Sequence, residues 1–187
     1  MNIETLLNEF MHQVSSNQYK IYNEFSLQHE LGIFLRENLC KYKIQFERNA
    51  DYFGIDKNET VKHEIDVVVF NDDKSEKYAI ELKYPRAGQY PEQMFAFIKD
   101  IKFTEQLKEH GFNNTYCLTL VDNSSFYSCD GKRSDGIYSY FRCGNTIHGD
   151  VEKPTGKNKY TLTINGSYNV DWKSLNDGEK KFYIIKI

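Results

Sequence analysis

The chain has 187 residues, of which 27% are charged and 40% hydrophobic, a balance that fits one folded domain and excludes a disordered tail. No apolar run approaches the length of about 18 residues that a membrane-spanning helix needs. The formal net charge of −3 argues against a protein that binds nucleic acid through overall positive charge alone.

Cysteine and histidine spacing excludes the common zinc motifs. The cysteines form no CxxC pair, and the histidines show neither HxH nor HExxH spacing. A reducing compartment is the simplest setting for widely spaced cysteines. We therefore expect a cytoplasmic protein that is not associated with a membrane.

Two helices are predicted at the start of the chain. Apolar residues recur three and four positions apart over residues 3–14, and again from Ser26, which suits an N-cap, to about Cys40. Residues 42–48 alternate between polar and apolar types and are typical of a strand.

The clearest strands are residues 63–70 and 77–84, which a polar turn separates, so that they predict a hairpin. Pro91 suits the first turn of a third helix, expected to end near His110. Residues 115–121 then predict a strand. The remainder is rich in turns and predicts strands at 159–164, 167–172 and 181–187.

Hairpin geometry brings two acids together. Because strand side chains alternate, Glu81 and Lys83 share one face. If the hairpin turns tightly at its centre, Asp66 lies opposite Glu81, and Glu64 lies opposite Lys83. Like charges in this position are destabilising, so the pairing of Asp66 with Glu81 needs a reason.

A divalent cation provides such a reason. Mg²⁺ takes one or two carboxylates, keeps several waters and leaves room for phosphate oxygens. It also lowers the pKa of a bound water and stabilises charge on a phosphate. Asp66 and Glu81 would hold the cation, and the Lys83 ammonium could position the water or the scissile phosphate.

Asp66, followed by fourteen residues and then Glu81-Leu82-Lys83, resembles the signature of the PD-(D/E)xK nuclease superfamily. The resemblance covers about residues 24–123, although Ile65 stands where the signature has proline. It implies an α/β restriction-endonuclease-like fold, with a mixed central sheet flanked by helices. It also implies Mg²⁺- or Mn²⁺-dependent hydrolysis of phosphodiester bonds.

The resemblance further implies an acid from the helix that precedes the sheet. Glu30 is the best match and would complete a metal set with Asp66 and Glu81, while Glu24 is the substitute. Gln93 resembles a glutamine that some exonuclease-type members carry on the helix after the lysine.

Ordinary structural roles could also explain several of these candidate site residues. Glu30 could be an acid that favours a helix N-terminus, and Gln93 an ordinary polar residue early in a helix. Arg86 and Lys102 are candidate phosphate contacts, but solvated positive charges are the usual explanation for such residues. Glu47 could support a metal ligand, although a structural role suits a strand end.

The sequence thus predicts a single domain over residues 1–187, with a nuclease core at about 24–123 and a β-rich extension at about 124–187. The expected function is a metal-dependent nuclease that acts on DNA, in restriction or another DNA-processing or defence role, with endonuclease action favoured and exonuclease action left open. RNA as substrate stays open. The alternative is a catalytically silent nuclease-like module that binds nucleic acid or protein. A homodimer would allow both strands to be cut, but no motif supports one.

Overall fold

The computed structural model describes residues 2–156, 159–175 and 178–187. In these residues the helices are α1 (Ile3–Ser15), α2 (Glu24–Asn38), α3 (Tyr90–Glu109) and α4 (Ile137–Arg142), together with a short 3₁₀ helix at Ala50–Phe53. The strands are β1 (Lys43–Asn49), β2 (Glu64–Phe70), β3 (Lys77–Lys83), β4 (Asn114–Val121), β5 (Ile147–Glu152), β6 (Thr161–Tyr168), β7 (Lys173–Ser174) and β8 (Lys181–Lys186).

Six strands form a mixed central sheet in the order β1-β2-β3-β4-β8-β7. Strands β3 and β4 are parallel, because α3 carries the chain back between them, and the other neighbours are antiparallel. Strands β5 and β6 pair separately. The predicted α/β fold with a mixed sheet flanked by helices is therefore confirmed. No described helix combines the length and apolar character needed to cross a membrane.

Alternation along the strands divides the core into two layers. Ile80 and Leu82 pack with α1 and α2 on one face of the sheet. Ala79 and Cys117 lie on the opposite face, in clusters that include residues of α3. Glu81 and Lys83 alternate with Ile80 and Leu82, as the sequence predicts, and the structure shows that their face of the sheet is the one that α3 covers.

The C-terminal segment is not a separate extension of the core. Strand β8 pairs with β4 inside the central sheet, so the sheet extends beyond the predicted core of residues 24–123. The predicted strand at 167–172 is wrong, because β6 ends at Tyr168. Strand β5 and helix α4 were not predicted, since both are short and lack a distinct periodicity.

Helix α2 begins earlier than predicted. Its N-cap is Asn23, whose Oδ1 accepts a hydrogen bond from the Ser26 backbone N–H at 2.7 Å. The Ser26 hydroxyl oxygen accepts in return from the Asn23 backbone N–H at 3.1 Å. Ser26 is therefore the third helical residue of a capping box and not the N-cap. As a consequence, Glu24 is the first residue of the helix.

We expect the Asn23 cap to fix the start of α2. Asn23→Ala should lower the free energy of unfolding by about 1 kcal/mol, because the Ser26 N–H loses its acceptor. Asn23→Asp keeps an acceptor oxygen and should remain close to wild type. Urea denaturation of the three proteins measures the difference, and equal stability of the two variants would contradict this function of the cap.

Candidate functional site

The central hairpin opens at the predicted acids. Strands β2 and β3 pair in the expected register from Phe70–Lys77 to Val67–Ile80, where the ladder ends. Asp66 and Glu81 occupy the next position in that register. The predicted contact between Glu64 and Lys83 is replaced, because Lys83 approaches other carboxylates once the strands have separated.

Beyond this point, carboxylates replace backbone carbonyls as acceptors for N–H groups at the end of β3. The Leu82 N–H donates to Asp66 Oδ2 at 2.7 Å, and the Tyr84 N–H donates to Glu24 Oε2 at 2.9 Å. In the opposite direction, the Asp66 N–H donates to Glu81 Oε1 at 3.3 Å. An unpaired buried N–H is costly, so these bonds hold the acids in fixed positions.

The Lys83 ammonium lies among three carboxylates. Its Nζ is 3.3 Å from Asp100 Oδ2, 3.7 Å from Glu24 Oε1 and 3.9 Å from Asp66 Oδ2. These acids come from α3, α2 and β2. Acids from both helical layers and from the sheet therefore reach the same lysine at the opened hairpin.

A second lysine, which the sequence analysis missed, lies beside Lys83. Lys62 Nζ contacts Glu81 Oε2 and lies 2.8 Å from Asp100 Oδ1. Asp100 was also missed, although one signal was available. It occupies the buried stripe of α3 between Phe97 and Ile101, where a charged residue is unusual unless it is paired.

Burial dominates the electrostatics of this group. It raises the pKa of Glu81 to about 8, because loss of solvent and the Asp66 charge outweigh the attraction of Lys62. Burial likewise raises the pKa of Asp66 against the opposing effect of both lysines. For Lys62 and Lys83, burial alone would lower the pKa, but the neighbouring carboxylates outweigh it and raise both values.

Negative charge exceeds positive charge in the cluster. We define the acid–lysine cluster as the following six residues: Glu24, Lys62, Asp66, Glu81, Lys83 and Asp100. When all six are ionised, two negative charges are left over. In addition, the buried Asp100 Oδ2 has no hydrogen-bond partner, although it lies 3.3 Å from Lys83 Nζ. The cluster thus has unused capacity for positive charge.

Glu24, and not Glu30, is the acid of α2 that reaches the cluster. The two are six positions apart and point about 120° away from each other around the helix. Burial raises the pKa of Tyr19, and the negative charges of Glu37 and Glu30 add to that effect, which places Glu30 beside a different part of the chain. The predicted assignment of Glu30 to the metal set is corrected accordingly.

The three predicted supporting residues make other contacts. Gln93 Nε2 donates to the backbone carbonyls of Arg86 and Gly88, at 2.8 and 2.6 Å, and so fastens the loop after β3. Arg86 is exposed in that loop. Lys102 Nζ lies 3.4 Å from Glu105, a buried acid that accepts hydrogen bonds from β6. The structure thus does not bring Gln93 or Lys102 into the cluster.

Glu47 has an unusual backbone next to the cluster. Its φ is 47°, and the β1–β2 ladder skips the pair that it would form with Asp66. Gln28 Nε2 donates both to Glu47 Oε1 and to the Asp66 carbonyl oxygen. A non-glycine residue in this region is strained, and such strain concentrates at functional sites.

An open cavity leads to the acids from the side of α2. Its volume is about 280 Å³, and Glu24, Gln28, Glu47 and Asp66 line it together with Phe25 and Leu82. The Phe25 side chain is largely exposed at this surface. Asp66 is therefore accessible from outside, whereas Glu81 is fully enclosed.

Comparisons of the chain with protein-family models, with curated proteins and with solved structures find no match. Within the described ranges, no group of three or more Asp, Glu, His or Cys side chains is arranged to hold a metal ion. The predicted set of three acids is thus not assembled. What the geometry offers is Asp66 and Glu81 on adjacent strands, with lysines among the acids.

We expect Glu24 and Glu30 to differ in their effect on β3. Glu24→Ala should speed hydrogen exchange of the Tyr84 amide by about tenfold or more, because that N–H loses a charged acceptor. Glu30→Ala should leave this amide unchanged. Amide exchange followed by NMR compares the two variants, and an equal effect of both would contradict the assignment of Glu24.

We also expect the backbone of Glu47 to store strain. Glu47→Gly should have a free energy of unfolding about 1 kcal/mol higher than Glu47→Ala, because both variants lose the Gln28 hydrogen bond and only glycine adopts a positive φ without a steric penalty. At Lys43, in the same strand, glycine should instead be less stable than alanine by about 0.5–1 kcal/mol. Chemical denaturation measures the four variants, and glycine less stable than alanine at both positions would show that Glu47 is unstrained.

Proposed function

We propose that this chain is a metal-dependent nuclease that hydrolyses phosphodiester bonds, with DNA as the favoured substrate. One observation carries the proposal. Asp66 and Glu81 lie side by side on two strands that separate at this position, and Lys83 follows Glu81 on the same face. This is the arrangement that the sequence resemblance leads one to expect of a PD-(D/E)xK nuclease.

The donor set suits a hard divalent cation. Asp66 and Glu81 provide carboxylate oxygens, and two carboxylates together with waters and a substrate phosphate are a usual environment for Mg²⁺. When all four acids are ionised, as they would be with a cation bound, the excess of two negative charges equals the charge of a divalent ion. Mn²⁺, which accepts the same oxygen donors, would serve equally.

Each residue of the site has a distinct role in this proposal. A bound cation supplies an acidified water and stabilises charge on the phosphate. Asp66 and Glu81 would hold it, and the Leu82 N–H fixes the orientation of the Asp66 carboxylate. Lys83 Nζ, 3.9 Å from Asp66 Oδ2, is placed to attract the scissile phosphate and to orient the attacking water.

The accessible side of Asp66 suits an extended polymer. The cavity beside Glu24 and Phe25 opens to the surface, so a phosphate of a long strand could approach without being enclosed. An isolated site of this kind cuts one strand at a time. Cleavage of both strands together would require a second copy of the chain, and we include a homodimer in the proposal only for that case.

A silent binding module is the second candidate, and the hydrogen bonds favour it in one respect. Asp66 and Glu24 both cap backbone N–H groups of β3, and Glu81 already has Lys62 as its partner. Structural roles could therefore retain these acids without catalysis. Lys83 distinguishes the two candidates by experiment, because its ammonium neutralises buried acids in either case and only the nuclease needs it for cleavage.

Cleavage of DNA tests the proposal. The purified chain should cut DNA with Mg²⁺ or Mn²⁺ and should be inactive in EDTA. Lys83→Met removes the ammonium but keeps most of the side-chain volume, and we expect it to lower the cleavage rate about 10²–10³-fold, as for loss of one group that stabilises transition-state charge. Gel assays on single- and double-stranded DNA and on RNA measure the rates.

Lys102→Met is the matched control. Lys102 is as buried as Lys83, but it pairs with Glu105 and lies outside the cluster. It should retain the wild-type rate, and circular dichroism should show that both variants are folded. Full activity of Lys83→Met, or of wild type in EDTA, would refute the mechanism. Binding of nucleic acid without cleavage under any metal would favour the silent module.

A further inference from the structure

Lys62 occupies the position of a counter-ion within the acid–lysine cluster. Its Nζ bridges Glu81 Oε2 and Asp100 Oδ1, and the Glu81 side chain is 0% exposed. The resemblance that identifies Asp66, Glu81 and Lys83 leaves Lys62 and Asp100 without a role. Lys62 contacts Glu81, the acid that a cation would need, and Asp100 contacts Lys62.

An ammonium and a divalent cation compete for the same carboxylate. Glu81 Oε1 accepts the Asp66 N–H, and Oε2 accepts Lys62, so the protein already uses both oxygens. Positive charges about 4 Å apart repel strongly where water is excluded. A cation on Glu81 would therefore require the Lys62 ammonium to withdraw.

Asp100 gives the withdrawn ammonium a place. It is almost fully buried, and its Oδ1 lies 2.8 Å from Lys62 Nζ. Lys62 can thus release Glu81 and keep a charged partner. Asp100 Oδ2, which has no hydrogen bond, can accept one more donor after the ammonium has moved.

The backbone around Lys62 is held in place, so that only the side chain needs to move. The Thr60 hydroxyl donates to the Lys62 carbonyl oxygen at 2.6 Å, and the Val61 N–H donates to Gln106 Oε1 of α3 at 2.8 Å. The side chain crosses near the ring of Phe103, with Nζ 5.6 Å from its centroid. A flexible lysine on a fixed backbone suits a small displacement.

We propose that Lys62 is an internal counter-ion that occupies Glu81 when no metal is bound and competes with the divalent cation for it, while Asp100 retains the ammonium when the cation binds. This inference rests on the proposed function, since it concerns the same cation. It makes Lys62 a positioning residue that sets the metal affinity of the site.

Two substitutions of Lys62 separate charge from hydrogen bonding. Lys62→Gln keeps donors for Asp100 and Glu81 but removes the competing charge. We expect the Mg²⁺ and Mn²⁺ dissociation constants, measured by isothermal titration calorimetry without nucleic acid, to fall about tenfold, or about 1.4 kcal/mol. Lys62→Arg keeps the charge and should bind the cations with wild-type affinity.

The outcomes distinguish this inference from the proposed function. Equal affinity of wild type and Lys62→Gln, or weaker binding by Lys62→Gln, would overturn the role of Lys62 and leave the metal site intact. Absence of cation binding in folded wild type and both variants would overturn the proposed function, and the inference with it.

A measurement on the wild type covers the case in which Lys62→Gln does not fold. NMR of the lysine side chains, with the Lys62 signal assigned from its loss in Lys62→Arg, should show that this signal shifts when Mg²⁺ is added, because the ammonium then keeps Asp100 but loses Glu81. Lys102 is the internal control, because it pairs with Glu105 outside the cluster, and its signal should stay unchanged. A Lys62 signal that does not respond to Mg²⁺ would overturn the inference.

Discussion

The separation of β2 from β3 after Val67–Ile80 is the constraint on which the rest of the site depends. A continued ladder would pair the N–H groups of β3 with backbone carbonyls. Once the strands part, Leu82 and Tyr84 need other acceptors, and Asp66 and Glu24 provide them. The separation of the two strands therefore leaves backbone donors that bind two carboxylates at one place, and it also opens a cavity beside them.

Buried carboxylates that lie close together need positive partners, and the two lysines of the cluster neutralise its four acids only in part. Lys62 and Lys83 each contact more than one carboxylate, yet the acids outnumber them. Removing one partner from a buried ion pair is expensive because the other charge stays desolvated. This shared dependence links α2, α3 and the hairpin, so that the cluster that would bind the proposed cation also contributes to the stability of the fold.

Structural and chemical roles coincide at Asp66. Its carboxylate caps β3, lies near Lys83 and borders the open cavity. Glu81 is the opposite case, because it is enclosed and its contacts are Asp66 and Lys62. We infer that a cation would reach the proposed site from the side of Asp66, whereas Glu81 and Lys62 would set the affinity of the site for that cation.

The sequence by itself determined the hairpin, its register and the shared face of Glu81 and Lys83, because strand alternation and turn position are local properties. It also located the main helices, although Asn23 and not Ser26 begins α2. Only the tertiary structure decided that Glu24 replaces Glu30, that Lys62 and Asp100 join the cluster, and that β8 completes the central sheet. These contacts connect residues far apart in the chain, and their formation depends on where helices pack against the sheet, which no local pattern records.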